Sequence, residues 1–237
     1  MCGRYTLFSP TEELEARFDA EFRGARTPRY NCAPGQSLPV IRNDAPDTFQ
    51  QLKWGLVPSW ADDERAGNDR INARAETIDE KSSFAEAYER RRCLVPADGF
   101  YEWVQQNGGK QPYRVAFADD RPFAMAGIWE RWESEHTQTG LGDFGGGDSD
   151  ADANPDVVES FAVVTTDPND VVADLHHRMA VVLDPEEEST WLQGSTEEAA
   201  RLLDPYPGEA WDAYPVSTRV NSPGNDDPSL IDPIEAE

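Results

Sequence analysis

Short apolar runs bounded by turn-forming residues constrain the fold of this chain more than any other feature. Each run is four to ten residues long and carries the β-branched and aromatic side chains that strands favour. The runs come in clusters, so the sequence predicts an α+β single domain with a largely antiparallel sheet or barrel core and flanking helices. A tight turn at Ala97-Asp98-Gly99 predicts a hairpin over residues 93–104. The predicted strands are residues 38–42, 51–56, 93–96, 99–104, 113–117, 123–132, 160–166 and 179–183.

Helix-start signals occur at four places between these runs. Each combines a capping side chain with an acidic residue three positions further along, which is the spacing of a capping box. The first also has a proline, which favours the first helical position. The predicted helices cover residues 10–19 (after Ser9) and 83–91 (from Ser83), and two more begin at Asp184 and Ser195.

The length of 237 residues fits one large domain. Residues 133–159 lose the strand pattern and become rich in Gly, Asp, Ser and Thr, with eight acids and no base. We interpret them as a solvated loop inserted between two strands, within a domain of residues 1–222. Residues 223–237 are predicted to form a polar C-terminal tail that is partly mobile.

The chain is strongly acidic, with 46 acids against 21 bases and a net charge of −25. Such a chain is unsuited to holding duplex nucleic acid by bulk positive charge. Only three bases are lysines, a bias that favours adaptation to high salt over an ordinary acidic surface. Residues 1–100 carry 14 bases and 17 acids, whereas residues 101–237 carry 7 and 29. Any surface that binds a polyanion is therefore expected to draw its bases from the first hundred residues.

Residues 1–25 are charged throughout, and no stretch approaches 18 apolar residues. We therefore expect a cytoplasmic protein without a signal peptide or a membrane span. The three cysteines, Cys2, Cys32 and Cys93, are odd in number and widely spaced, so they are interpreted as thiols.

Cys2 is the residue with the most specific chemistry. Removal of Met1 would leave a cysteine with a free α-amine, and both its amine and its thiol have reference pKa values near neutrality. The amine of such a 1,2-aminothiol forms a Schiff base with an aldehyde, and the thiolate then closes a five-membered thiazolidine ring. The alternative is that a cysteine stands at position 2 by chance.

Six sequence motifs support a functional role for Cys2. They are residues 2–5 (CGRY), 30–35 (YNCAPG), 54–60 (WGLVPSW), 71–77 (INARAET), 92–103 (RCLVPADGFYEW) and 176–179 (HHRM). Together, and in this order, they resemble the SRAP (SOS response-associated peptidase) family, whose bacterial and eukaryotic members shield abasic sites in single-stranded DNA. The resemblance spans about residues 2–221, with the acidic loop as its main insertion.

The resemblance implies four catalytic residues. Cys2 matches the nucleophile that captures the ring-opened sugar, and Asn72 matches a residue that positions the amine or the sugar. Glu102 matches the acid/base, with a pKa that flanking aromatic residues would raise by desolvation. His176 matches a general acid or base, although His177 stands where some relatives have Asp. Taken alone, Asn72 could be a turn residue and Glu102 a solvated strand residue.

The resemblance also implies a DNA-binding surface. Arg4, Arg74 and Arg178 match positions that contact phosphates near the lesion, and Trp60 with Pro34 matches an apolar surface beside it. The alternative for Trp60 is a buried core residue. The expected partner is single-stranded DNA that contains an abasic site, bound by a monomer.

Two other functions stay open at this stage. One is a cysteine peptidase that uses Cys2 with His176 as its base, limited in the narrowest case to removal of Met1. The other is a metal-binding module built from the three cysteines and His176, but neither C-x-x-C nor H-x-E spacing occurs. We therefore expect no metal and no cofactor.

Overall fold

The computed structural model describes residues 2–106, 108–134 and 156–235. Two β-sheets form its centre, and five short α-helices flank them in the described part of the chain. The predicted α+β fold with a sheet or barrel core is confirmed. None of the described helices has the length and apolar character needed to cross a membrane.

The first sheet is antiparallel throughout, in the order β14-β9-β8-β1-β3. Its strands β1 and β8 pair Tyr5 with Phe100, and the Tyr101 N–H donates to the Arg4 carbonyl at 3.0 Å. The start of the chain therefore lies beside β8. The strands are β1 (Tyr5–Leu7), β3 (Arg29–Cys32), β8 (Gly99–Gln106), β9 (Gly109–Phe117) and β14 (Trp211–Pro215).

The second sheet closes on itself as a barrel. Strands β11, β10, β7, β4 and β5 pair in turn, and β5 returns to pair with β11 in parallel, at Phe161 and Trp54. Strand β6 also pairs with β11 in parallel, which places Asn72 opposite Val163. The strands are β2 (Glu21–Phe22), β4 (Ser37–Arg42), β5 (Ala45–Trp54), β6 (Asn72–Arg74), β7 (Arg92–Ala97), β10 (Phe123–Glu133), β11 (Val157–Thr166), β12 (Met179–Ala180) and β13 (Val182–Leu183).

The helices occur where capping signals predict them, with one addition. The capping boxes at Asp184 and Ser195 are both present. The boxes predicted at Ser9 and Ser83 are wrong, because Pro10 and Phe84 are the N-caps of these helices and neither helix has a side-chain cap. The Ser9 hydroxyl binds the Asp98 carboxylate instead. The helices are α1 (Thr11–Phe18), α2 (Ala85–Arg90), α3 (Asp170–Ala173), which the sequence did not predict, α4 (Pro185–Gln193) and α5 (Thr196–Ala200).

The hairpin predicted over residues 93–104 is also wrong. Strand β7 belongs to the barrel and β8 to the first sheet, so the chain crosses between sheets at Asp98. The buried Asp98 carboxylate accepts hydrogen bonds from the backbone N–H groups of Phe8 and Ser9. These bonds hold the crossing against the end of β1, a partner that lies 90 residues away in sequence.

The ends of the predicted acidic loop and the C-terminal tail differ from the predictions. Glu133 pairs with Val157, and Arg131 with Glu159, so the strands extend into the loop predicted over residues 133–159. The rest of that loop, residues 135–155, lies outside the described residues. The tail packs on the domain as far as it is described, with Leu230 fully buried in a 3-10 turn, Pro228–Ile231.

Candidate active site

The start of the chain and Asn72 meet in the protein interior. Cys2 is fully buried, and its carbonyl accepts a hydrogen bond of 3.0 Å from Asn72 Nδ2. Strand β6 holds Asn72 there through its pairing with β11. Asn72 Oδ1 is buried and has no hydrogen-bond partner among the described residues. The side-chain amide of Asn72 therefore donates to Cys2 through Nδ2, and its Oδ1 can accept a hydrogen bond from a further group.

The Cys2 thiol is protonated at neutral pH. Burial, together with the nearby Glu102 carboxylate, raises the pKa of Cys2 to about 12, while a hydrogen bond from the Arg4 backbone acts in the opposite direction. This differs from the sequence-based expectation of a thiol that is partly ionised near neutrality. In a chain that retains Met1 the nitrogen of Cys2 is an amide, so neither group of Cys2 is a ready nucleophile before Met1 is removed.

Glu102 is the acidic group beside Cys2. It lies on β8 with only 2% of its surface exposed, and burial raises the pKa of its carboxyl to about 8. The desolvated carboxyl predicted from the sequence is confirmed, and the alternative of a solvated strand residue is wrong. At pH 7 the side chain is mostly a neutral acid that can donate a proton.

An open cleft of about 460 Å³ gives access to this region. Its described lining includes Glu102, His176 and Arg4, which the sequence predicted, and Trp103, Lys110 and Asn221, which it did not. The cleft therefore brings two predicted catalytic side chains together with a predicted phosphate contact.

His176 lies in the loop between α3 and β12, half-buried at the cleft. Its Nδ1 is 3.1 Å from both the backbone nitrogen and the backbone oxygen of Arg178. Burial lowers the pKa of His176, so the ring is mostly neutral at pH 7. The His177 side chain is exposed, with its ring centroid 4.3 Å from that of His176.

The residues expected to contact DNA fall into different environments. Arg4 is half-buried and donates to Asn31 Oδ1 at 2.9 Å and to the Val220 carbonyl at 2.7 Å. Arg74 is exposed and follows Asn72 by two positions on β6, so the two side chains share a face of that strand. Trp60 is 57% exposed, so its alternative as a core residue is wrong. Pro34 is exposed as well.

Arg178 differs from these residues because its guanidinium is occupied. The side chain is 8% exposed and forms a two-pronged ion pair with Glu76, in which Nη2 and Oε2 are 2.9 Å apart. It also donates to the Thr165 carbonyl at 2.6 Å. The residue predicted as a phosphate contact therefore pairs with Glu76, whose side chain is 49% exposed, in this structure.

The other two cysteines lie in the core rather than at the cleft. Cys32 and Cys93 are fully buried, and burial raises the pKa of both thiols. Over residues 2–106, 108–134 and 156–235, no three His, Cys, Asp or Glu side chains are grouped so that they could hold a metal ion.

A comparison with protein families decides where this chain belongs. The model of the family "SOS response associated peptidase (SRAP)" matches residues 1–223. The chain belongs to the SRAP family. The resemblance drawn from the six motifs is thereby confirmed.

Individual relatives cover nearly the whole of this SRAP chain. The abasic site processing protein YoqW of Bacillus subtilis is 38% identical over 98% of this chain and 99% of its own length. The abasic site processing protein HMCES of Gallus gallus is 34% identical over 90% of this chain and 68% of its own length. A crystal structure of a protein from Bacteroides thetaiotaomicron superposes with a TM-score of 0.82 at 29% identity, covering 99% of this chain and 100% of that chain.

Sequence reasoning missed several residues that line or support this SRAP site. Trp103 and Lys110 lie on the β8–β9 hairpin, in which Trp103 pairs with Pro112 and Gln105 with Lys110. The signal that could have identified both residues is their place on the same hairpin as Glu102. Glu76 is part of the INARAET motif, but its partner Arg178 is 102 residues away. No local pattern predicts a contact at that separation.

Proposed function

We propose that this protein captures abasic sites in single-stranded DNA through a covalent thiazolidine link to Cys2, formed after Met1 is removed. The relatives YoqW and HMCES are both named abasic site processing proteins. The observation that carries the proposal is the position of Cys2, buried against Asn72 and next to a protonated Glu102.

The proposed reaction needs no oxidant, metal or cofactor. Glu102 donates its proton to the ring oxygen of the sugar as the C1′ hydroxyl passes its own proton to water, which opens the ring to an aldehyde and leaves Glu102 as a carboxylate. The Cys2 α-amine attacks the aldehyde carbon, and loss of one water leaves a Schiff base. The thiol then adds across the C=N bond, with its sulfur bonding to carbon and its proton passing to nitrogen.

Burial explains how Glu102 can act in both the first and the last step of the proposed reaction. Its carboxyl is an acid at the start, and the carboxylate formed in the first step can then accept the proton of the Cys2 thiol, whose high pKa requires a nearby base. The same proton transfers run backwards would reopen the ring, so crosslink reversal through Glu102 belongs to this proposal. The proposed β-lyase activity would start from the Schiff base, where the Glu102 carboxylate removes a C2′ proton and the 3′ phosphate leaves as the C3′–O bond breaks. His176, which also lines the cleft, serves the Schiff-base steps as an acid or base.

The DNA strand is proposed to lie across the cleft. Arg4 and Lys110 line it and can neutralise phosphates, and Arg74 is exposed on the same face of β6 as Asn72. Trp60 is exposed and can stack on an unpaired base, a contact worth about 1–3 kcal/mol. With about three phosphate contacts, a tenfold rise in salt would lower non-covalent affinity roughly a hundredfold, whereas a covalent link escapes this loss.

Mass spectrometry of the intact protein tests the proposal. The protein is mixed with a single-stranded oligonucleotide that carries one abasic site, without borohydride, and in parallel with unmodified peptides. We expect a heat-stable adduct whose mass is the sum of protein and DNA minus one water, and a free protein that lacks Met1. Peptide turnover without a DNA adduct would favour the alternative of a cysteine peptidase that uses Cys2 and His176.

Two cysteine variants make the test specific. Cys2→Ala removes the proposed nucleophile and is expected to abolish the adduct. Cys93→Ala removes a buried thiol on the barrel strand β7 and is expected to retain it. The same adduct mass from Cys2→Ala would sink the mechanism. The cytoplasmic location and the monomeric state stay predictions from the sequence.

A further inference from the structure

Neutral oxygen atoms hold the side chain of Arg4 at the cleft. Nη1 of Arg4 donates to Asn31 Oδ1 at 2.9 Å and to the Val220 carbonyl at 2.7 Å, which occupies both of its hydrogens. Nη2 lies 3.4 Å from the Asn221 carbonyl. In the described part of the chain, no carboxylate forms an ion pair with Arg4. These contacts therefore fix the orientation of the guanidinium without neutralising its charge.

One edge of the Arg4 guanidinium remains for a ligand. Nε has no hydrogen-bond partner among the described residues, and Nη2 has only the long contact to Asn221. The hydrogens on Nε and Nη2 point the same way, so this edge can bind two oxygens of one phosphate. Because Arg4 lines the cleft with Glu102 and Lys110, a strand that occupies the cleft can reach this edge.

Asn31 connects Arg4 to the C-terminal segment. Its side chain is fully buried, and its Nδ2 donates to the carbonyls of Val220, Ser222 and Asn225 at 3.2, 3.1 and 2.8 Å. Because an amide accepts with its oxygen and donates with its nitrogen, Asn31 can bind the guanidinium and these carbonyls at the same time. A hydrocarbon side chain in its place would leave the carbonyls without this donor.

Asp226 fixes the same segment from the other side of Asn31. Its carboxylate accepts from the backbone N–H groups of Tyr30 and Asn31 at 2.6 and 3.0 Å, and it pairs with Arg29 Nε at 2.5 Å. The match to the family model ends at residue 223. Part of the structure that holds Arg4 is therefore built by residues beyond the family match, Asn225 and Asp226.

We propose that Asn31 is a positioning residue that, with residues 220–226, fixes the Arg4 guanidinium so that its Nε–Nη2 edge binds one phosphate of the damaged strand. Because Arg4 is already ordered, the phosphate immobilises few additional rotamers on binding. Asn31 is buried and acts through Arg4. The inference rests on the proposed capture of abasic sites and specifies how one phosphate contact of that site is built.

The first test measures binding of single-stranded DNA over a salt series by fluorescence anisotropy, in a Cys2→Ala parent protein. Arg4→Gln removes the proposed phosphate contact, so we expect the salt slope to fall by about 0.7 and binding to weaken about 5-fold at about 0.1 M salt. Asn31→Ala should change both quantities in the same direction, because the guanidinium is no longer held. The double variant should bind no more weakly than Arg4→Gln, since both changes act on the same contact.

Three results of this test would overturn the proposal. An unchanged salt slope in Arg4→Gln would show that no phosphate binds this edge. Binding by Asn31→Ala as tight as that of the parent, together with a loss in Arg4→Gln, would show that Arg4 needs no positioning by Asn31. Losses that add in the double variant would show that Asn31 acts independently of Arg4.

Arg4→Lys tests the same geometry if Asn31→Ala does not fold. Lysine keeps the charge, but its single nitrogen cannot bind the oxygens of Asn31 and Val220 and also present a two-donor edge to a phosphate. We expect Arg4→Lys to bind DNA more weakly than the parent, despite the retained charge. Binding equal to that of the parent would mean that a point charge suffices, which contradicts the proposal.

Asn43→Ala is the matched control for the loss of a side-chain amide. Asn43 lies in the turn between β4 and β5, where its Nδ2 donates to the Arg90 carbonyl and its Oδ1 accepts from Trp129 Nε1, each at 3.0 Å. Like Asn31, it ties segments that are distant in sequence. We expect Asn43→Ala to leave the dissociation constant and the salt slope unchanged.

The rate of adduct formation separates positioning of Arg4 from a general structural role. In the protein that retains Cys2, Asn31→Ala should raise the DNA concentration that gives half of the maximal rate about 5-fold. The rate at saturating DNA should stay within about twofold of the wild type, because the lost interaction serves binding alone. A saturated rate that falls while binding is unchanged would assign Asn31 to the reaction centre and overturn the proposal.

A second measurement uses the free protein and does not depend on DNA. Fast rotation of a free guanidinium merges the NMR signals of Nη1 and Nη2, whereas a held guanidinium shows them separately, and Arg4→Lys assigns the signals of Arg4. We expect separate signals in the wild type and merged signals in Asn31→Ala. Merged signals in the wild type would refute the inference even if the DNA adduct forms. Separate signals without any adduct on abasic DNA would refute the proposed function instead.

Discussion

Glu102 and Cys2 show how burial sets the chemistry of single residues. Water would leave the carboxyl ionised and the thiol partly ionised at neutral pH, whereas burial keeps both protonated. The protein thus holds a protonated carboxyl and a protonated thiol close together. Keeping Glu102 in this environment has a cost in stability, because the unfolded chain would ionise it freely.

Replacing Glu102 measures that cost. In the unfolded chain the carboxyl loses its proton near pH 4.5, but in the folded protein it keeps it until about pH 8. Unfolding between these values releases a proton, so the free energy of unfolding falls as the pH rises through this range. We expect Glu102→Gln to stabilise the protein by roughly 2–4 kcal/mol at pH 9 and by little at pH 4.

Denaturant unfolding curves of both proteins across this pH range check the prediction. Glu209→Gln, a change in an exposed turn, serves as a control for the loss of one carboxyl. An equal difference between wild type and Glu102→Gln at both pH values would show that Glu102 does not titrate with a raised pKa.

At the level of elements, the β8–β9 hairpin is the most informative. It carries Glu102, Trp103 and Lys110, which all line the cleft. Trp103 Nε1 also donates to Asn221 Oδ1 at 2.7 Å, which ties the hairpin to the 3-10 turn Thr218–Asn221. One hairpin therefore places both a protonated carboxyl and a cation at the cleft.

Lys110 provides a test of this arrangement. If it neutralises one phosphate, Lys110→Gln should reduce the salt slope of DNA binding by about 0.7 and weaken binding to all sequences alike. Fluorescence anisotropy over a salt series, in a Cys2→Ala background, measures this slope. Arg201→Gln removes a cation that is paired on α5 and should not change it. A slope that is unchanged in Lys110→Gln places the DNA elsewhere.

At the scale of the whole molecule, residues from both ends of the chain meet beside the cleft. The C-terminal segment returns to the start of the chain, where the Asn31 side chain donates to the carbonyls of Val220, Ser222 and Asn225. Arg4 donates to the Val220 carbonyl as well. The cleft therefore depends on residues from both ends of the chain, although the second half carries most of the net charge of −25.

The acidic surface predicts a response to salt. Self-repulsion among 46 acids is screened over roughly 3 Å at 1 M salt, so we expect the thermal unfolding midpoint to rise between about 0.2 M and about 3 M KCl. Scanning calorimetry over a KCl series measures it, with sucrose at matched water activity as the control. A midpoint that stays flat or falls with KCl would favour an ordinary acidic protein over one adapted to high salt.

Local sequence signals predicted where the helices and strands lie better than they predicted which strands pair with each other. Periodicity located the barrel strands, and the capping boxes located α4 and α5, because these signals involve residues a few positions apart. The predicted hairpin at Asp98 failed because its turn signal is also compatible with a crossing between two sheets. The bonds that select the crossing come from Phe8 and Ser9, far away in sequence.

The sequence by itself determined the α+β class and the family, because motif order and residue chemistry are written along the chain, and it predicted Cys2, Asn72, Glu102 and His176 as the site. Only the tertiary structure decided that the Cys2 thiol is buried and protonated, that Glu102 holds its proton to about pH 8, and that Arg178 pairs with Glu76. Those properties depend on which distant groups remove water from a side chain or supply its hydrogen bonds. Desolvation and long-range pairing arise only when the two sheets and both chain ends come together.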